Sequence, residues 1–206
     1  MGNVTSVKSK FFGAVDALDA DGISVAASIG SATTLTLGGT LTSGGSYTSG
    51  DNIGQLVTIL SAADDSGITF TIVGTDAVGD AQTEVVTGAD TGTATSSGYF
   101  NTVASITTSG ASAGNVSAGV TGTGTGTVFA GRTRIRGLQG LSGASAGNLL
   151  FKNTSVTGTT LLTVPTGATA TELIEPYIPD NAVLFDAGAY VSFPSAAATI
   201  TVFYDG

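Results

Sequence analysis

Glycine sets the terms on which this chain can fold. It occupies 31 of 206 positions and falls mostly between short runs rich in valine, isoleucine and threonine, such as residues 68–73 and 82–87. Inside a helix a glycine costs roughly 0.5–1 kcal/mol relative to alanine. Between short β-branched runs it supplies the backbone conformations that tight turns need. The pattern argues against a helical bundle and predicts many short strands. It also differs from that of a disordered glycine-rich chain, because 41% of the residues are hydrophobic and a core can form. The expected fold class is all-β: two β-sandwich-like domains of short antiparallel strands behind a short N-terminal arm. The expected boundaries are residues 1–22 for the arm, 23–128 for the first sandwich and 129–206 for a second, smaller β domain.

Read along the chain, Val7, Phe11, Val15 and Leu18 are spaced three or four apart, which fits a short helix. Gly13 interrupts that pattern, so an extended arm fits equally. Strand candidates follow at 23–29, 33–37, 56–60, 68–73, 82–87, 99–107 and 116–120, with residues 43–52 as a loop. Asp76-Ala-Val-Gly-Asp80 reads as the turn of a hairpin. Residues 119–126 alternate glycine and threonine with almost nothing to pack, the signature of a linker. Beyond it the candidates are 132–138, 149–152, 160–164, 183–185, 189–193 and 199–204, with Pro176 and Pro179 marking a turn.

Charge and residue absences narrow the chemistry. The formal net charge is −9, and the only cations are Lys8, Lys10, Arg132, Arg134, Arg136 and Lys152. Nucleic acid is therefore not an expected partner, since phosphate binding needs clustered cations. No apolar run is long enough to span a membrane as a helix. Cysteine and histidine are both absent, removing thiolate sites, disulfides, the usual general base and the commonest metal ligand. Met1–Ser6 fits the N-myristoylation pattern, a match read as chance.

The heptapeptide SGASAGN occurs at 109–115 and again at 142–148. Each copy contains G-x-S-x-G, the pattern of a hydrolase nucleophile elbow, which requires a following helix and a histidine partner. Strand-like runs follow instead and histidine is lacking, so no catalytic residue is expected and the chain reads as a non-enzyme. The flanks of the two copies do not match at their 33-residue offset, which excludes a domain repeat. Each copy is expected to be a hairpin turn between adjacent antiparallel strands, with Ser112 and Ser145 dispensable.

The aspartates at 64, 65, 76, 80 and 90 mostly neighbour glycine and read as turn formers. The run 16–22 (DALDADG) has the composition of a calcium loop without its alternate spacing or terminal glutamate, so no metal or other cofactor is assigned. Arg132, Arg134 and Arg136 have period 2, which places three guanidiniums on one strand face. They fit a charged edge strand, and equally a candidate interface with an acidic neighbour such as another copy of the chain.

Residues 66–119 carry a resemblance. The run SGITFTIVGTDAVGDAQTEVVTGADTGTATSSGYFNTVASITTSGASAGNVSAG is similar to a β-domain of tailed-bacteriophage virion proteins. In that domain a G-[IT]-F-T-V-x-G-T-D strand meets a T-E-x-V-T-G strand, followed by further strands resembling "ytVtSIt" and "AGNV". The C-terminal run NAVLFDAGAYVSFPSAAATITVFYDG also resembles phage structural proteins. Together the two matches cover about two fifths of the chain, and they transfer no functional residue. The resemblance implies a structural virion protein assembled in the host cytoplasm, specifically a capsid decoration or cement protein. Its expected partners are the major capsid protein and copies of itself, with a trimer as one arrangement. The alternatives are a tail, collar or head-fibre component, or a carbohydrate-binding adhesin module using Tyr47, Tyr99 and Tyr190.

Overall fold

The short β-rich runs form strands throughout the computed structural model, which describes residues 6–194 and 198–206. In chain order the first are β1 (Val7–Phe12), β2 (Asp19–Ser28), β3 (Thr33–Thr34), β4 (Thr42–Ser43), β5 (Ser46–Thr48) and β6 (Gly54–Asp64). Next come β7 (Thr69–Thr75), β8 (Ala81–Thr87), β9 (Asp90–Phe100), β10 (Thr102–Thr108), β11 (Asn115–Phe129) and β12 (Thr133–Leu141). The last are β13 (Gly147–Asn153), β14 (Thr160–Thr166), β15 (Leu173–Ile174), β16 (Val183–Phe185), β17 (Ala189–Phe193) and β18 (Thr199–Asp205). The fold is all-β and sandwich-like, with antiparallel pairing. The acylation pattern at the N-terminus lies outside the described residues, except for Ser6.

The chain divides into two compact units. A central unit comprises Asp16–Ser49 and Gly54–Gly122, and a terminal unit comprises Gly50–Ile53, Thr123–Gly206 and the described part of Met1–Val15. These divisions fall at positions other than 22/23 and 128/129. In the central unit one sheet runs β4-β5-β10-β7-β8, with β3 also on β10, and a second layer holds β2, β11, β6 and β9. Ile59, Phe70, Ile72, Phe100, Ile106 and Val120 close the space between them. Each such side chain contributes roughly 1.5–3 kcal/mol by leaving water.

In the terminal unit one sheet runs β1-β18-β12-β15, with β16 also on β12, and the other layer orders β14-β13-β17-β11. Phe12, Ile135, Phe151, Phe185, Val191 and Val202 form its core. The predicted N-terminal arm is thus in part a strand, with Val7–Phe12 pairing in register against β18. Phe12 is fully buried, its ring centroid 5.7 Å from that of Phe193 and tilted by 50°. Burial of that one ring explains why a sequence with helical spacing is extended: the partner strand supplies the hydrogen bonds and the core takes the aromatic side chain.

The expected linker is instead the middle of β11, a 15-residue strand with most of its residues buried. Glycine serves close approach here. A Cβ at Gly119 would meet the backbone of Asp19 and Ala20, and one at Gly126 would lie 2.7 Å from Cδ1 of Phe12. In a strand interior glycine marks such crowding, as well as flexibility. The chain passes from the central to the terminal unit within this strand, between Gly122 and Thr123.

Two further expectations change. Residues 109–115 connect β10 to β11 and residues 142–148 reach from β12 into β13, and in both cases the two strands belong to different sheets. SGASAGN is an arch from one layer of a sandwich to the other, not a hairpin turn. In addition β12 is an interior strand, flanked by β18 on one side and by β15 and β16 on the other. The arginines therefore do not guard a sheet edge. The predicted β7–β8 hairpin does form, with Thr75 opposite Ala81. Strand β9 has no apolar alternation to announce it: most of its side chains are exposed or half-buried, and it is held in the sheet by pairing with β6.

Candidate interaction site

Thr133 and Ile135 are buried while Arg134 and Arg136 point the other way, as period 2 requires. A register shift between Ile135 and Gly137 then resets the alternation, so Leu138 faces the core. Arg136 forks onto Asp205 of β18, with Nε at 2.9 Å from Oδ1 and Nη2 at 2.7 Å from Oδ2. That bond raises the guanidinium's proton affinity further above its ordinary value. Arg134 donates from Nη1 to the Asn181 carbonyl at 2.6 Å. Arg132, just before β12, lies 3.5 Å from Asp186, with the two side chains 67% and 70% exposed. Thr133 donates its hydroxyl to the Asp205 carbonyl. Arg132, Thr133, Arg134, Leu184, Asp205 and Gly206 line a cleft of about 280 Å³. The structure thus brings the three arginines to one face, each with an internal partner.

On the same unit, Phe11, Leu141 and Leu173 stay 45–55% exposed and line a second cleft of about 260 Å³ with Gln139, Thr199 and Thr201. An apolar cluster left in water is a feature of contact surfaces. The sequence named Phe11 only as part of a helical spacing; the gathering of Leu141 and Leu173 beside it depends on strand order.

The central unit carries nine carboxylates, at positions 16, 19, 21, 64, 65, 76, 80, 84 and 90, and neither lysine nor arginine. Most are occupied by local donors. Asp19 accepts from Thr40 Oγ1 at 2.8 Å, which holds its carboxyl below the usual range. Asp64 accepts from the Ser66 hydroxyl at 2.6 Å and its N–H at 3.0 Å, with the same direction of shift. Asp76 Oδ1 closes the β7–β8 turn by accepting from Val78 N and Asp80 N. Glu84 spans Ser97 N and Gly98 N at 2.6 and 2.8 Å. Turn formation accounts for Asp64 and Asp76, while Asp90 begins β9.

Asp65 is different. It is 2% exposed, Oδ1 accepts from Ala113 N at 2.7 Å, and Oδ2 has no partner. It anchors the first SGASAGN arch. Ser112 anchors it further: its N–H donates to the Ile29 carbonyl at 2.8 Å, and Oγ accepts from Ile29 N at 3.0 Å while donating to Gly114 O. In both copies the first serine binds backbone. Ser109 exchanges bonds with Thr69, and Ser142 donates N–H to Glu172 O and accepts from Gly167 N. Ser145 is exposed.

A buried polar group escaped the sequence reading. Gln55, fully buried, receives Asp16 N, Tyr47 Oη and Ser49 Oγ on Oε1, and donates to the carbonyls of Asp16 and Thr121. Tyr47 Oη also reaches Asp16 Oδ2 at 2.9 Å. Desolvation raises the Asp16 carboxyl, with the tyrosine bond opposing it, and burial beside Asp16 raises the Tyr47 phenol. Only the three-dimensional convergence of residues 16, 47, 49, 55 and 121 makes this network visible. Tyr47 is 0% exposed and offers no stacking face to a sugar.

Compared with protein-family models, with curated proteins and with solved structures, the chain matches none.

Proposed function

We propose that this chain is a structural, non-enzymatic protein of a tailed-bacteriophage virion, a decoration or cement protein that binds the major capsid lattice and stabilises the head. The observation that carries this reading is the way the resembling run folds. The G-I-T-F-T-I-V-G-T-D segment contains β7, the T-E-V-V-T-G segment falls largely in β8, and the two pair over seven residues. The following T-V-A-S-I-T-T segment is β10, which pairs with the other side of β7. Three strands of the resembling pattern therefore lie side by side in one sheet, while its A-G-N-V segment enters β11 of the other layer.

The exposed apolar group of Phe11, Leu141 and Leu173 supplies a docking face for the lattice. Many copies of a modest contact hold a shell by avidity, without a strong individual bond. Copy number per particle tests the reading. Hundreds of copies on the head, lost when Phe11→Ser and Leu173→Ser are combined, support it. Six or twelve copies move the chain to the tail or collar, and absence from purified particles overturns the virion role.

A further inference from the structure

The net charge is divided unevenly between the units. All six cations lie in the terminal unit beside six carboxylates, so the central unit carries the entire excess of nine negative charges. The terminal unit is neutral overall but gathers Arg132 and Arg134 in one cleft, and a locally cationic cleft facing an acidic unit favours contact between unlike surfaces of two copies. We propose that the arginine cleft of the terminal unit receives the Asp76–Asp80 turn of a second copy, joining copies head to tail.

The cleft suits a side-chain guest. Its volume of about 280 Å³ falls below the roughly 300–1,000 Å³ of pockets for drug-sized ligands. Asp205, the acid in its lining, has both oxygens on Arg136, so Arg132 and Arg134 set the local sign. Arg134 uses Nη1 on Asn181 O, one of the five donors a guanidinium carries. The exposed Arg132–Asp186 pair is of a kind that contributes little, and another carboxylate can take its place. Leu184 gives the lining an apolar side chain.

The turn carries the complementary groups. Val78 is 54% exposed and stands between Asp76 and the exposed Asp80. Its shape is set in advance: Asp76 N donates to Asp80 O at 2.9 Å, Gly79 N to Asp76 O at 3.1 Å, and Gly79 adopts φ 93°. A non-glycine residue rarely takes that conformation, so glycine fixes the turn and little ordering cost remains for binding. Val78 matches Leu184, and the flanking carboxylates match Arg132 and Arg134.

Because the two surfaces differ, the contact is heterologous and builds a ring or an open chain. It is a property of the purified chain, whatever particle the chain belongs to.

Sedimentation velocity of the full chain tests it. The average mass should rise with concentration at about 0.02 M salt and fall towards one chain at about 0.5 M, where screening is stronger. Arg132→Glu and Asp80→Asn, both at exposed positions, should each weaken association about tenfold or more. An equimolar mixture of the two retains one intact cleft and one intact turn, and should give dimers and nothing larger. Asp186→Asn, which frees Arg132, should strengthen association several-fold. A wild-type chain that stays monomeric at about 1 mM in low salt overturns the proposal. So does association that survives both charge variants, or that disappears only on Phe11→Ser.

Discussion

The two units satisfy their charges in different ways. In the terminal unit, arginine meets carboxylate: Arg136 forks onto Asp205 across neighbouring strands, and Arg132 sits by Asp186 at the surface. In the central unit no cation is present, and carboxylates meet backbone N–H groups and hydroxyls instead, as at Asp64, Asp65, Asp76 and Glu84. The comparison teaches that an acidic sandwich can be held locally by the donors that turns leave unpaired. Its excess charge then stays available for longer-range attraction.

The largest expected effect comes from the strand that both units share. Gly119→Val drives a side chain into the backbone of Asp19 and Ala20, and should lower unfolding free energy by about 3 kcal/mol, the upper end for overpacking. Gly67 has open space around it, so Gly67→Ala should stay within about 0.5 kcal/mol. Urea denaturation of both variants decides whether β11 is crowded or merely flexible. Equal midpoints would return the glycine–threonine run to the status of a linker.

A smaller effect separates the two SGASAGN arches. Ser112→Ala leaves the Ile29 N–H without its side-chain acceptor and should cost about 1–2 kcal/mol. Ser145→Ala, at an exposed position, should stay within about 0.5 kcal/mol. Identical melting shifts for the two alanine variants would mean that the arches are interchangeable.

The smallest effect belongs to pH. Asp16 has a raised carboxyl pKa in the folded central unit, chiefly through desolvation. The folded state then binds its proton more tightly than the unfolded chain does. Stability from this group is present below the ordinary carboxylate value and falls as pH rises through the raised one. Asp64, with a lowered carboxyl, runs in the opposite sense and favours the folded state at neutral pH. Asp16→Asn keeps an acceptor for Tyr47 and should stabilise the protein at neutral pH, with the gain shrinking as pH falls towards 4. Thermal melts across that range would contradict this assignment if the gain grew on acidification.

Several elements were legible from pattern alone. The β7–β8 hairpin follows from alternation on both sides of a glycine turn, and strands β16 and β17 fall where the sequence places them. Thr133 and Ile135 against Arg134 and Arg136 repeat the period of two. Strand β9 was hidden because its pairing with β6 needs no apolar alternation of its own. The apolar cleft was hidden because Phe11, Leu141 and Leu173 lie far apart in the chain and meet only through strand order.

The sequence by itself determined the all-β class, the hairpin turn, the shared face of the arginines and the acidity of one half, since each depends on residues close in the chain. Tertiary structure decided whether a glycine bends or packs, whether β12 is an edge, and what SGASAGN connects. Those outcomes depend on which neighbour lies across the sheet or across the sandwich, and a local pattern does not carry that information. The same seven letters bridge two layers in both units, yet only the first copy finds Asp65 and Ile29 waiting for its backbone.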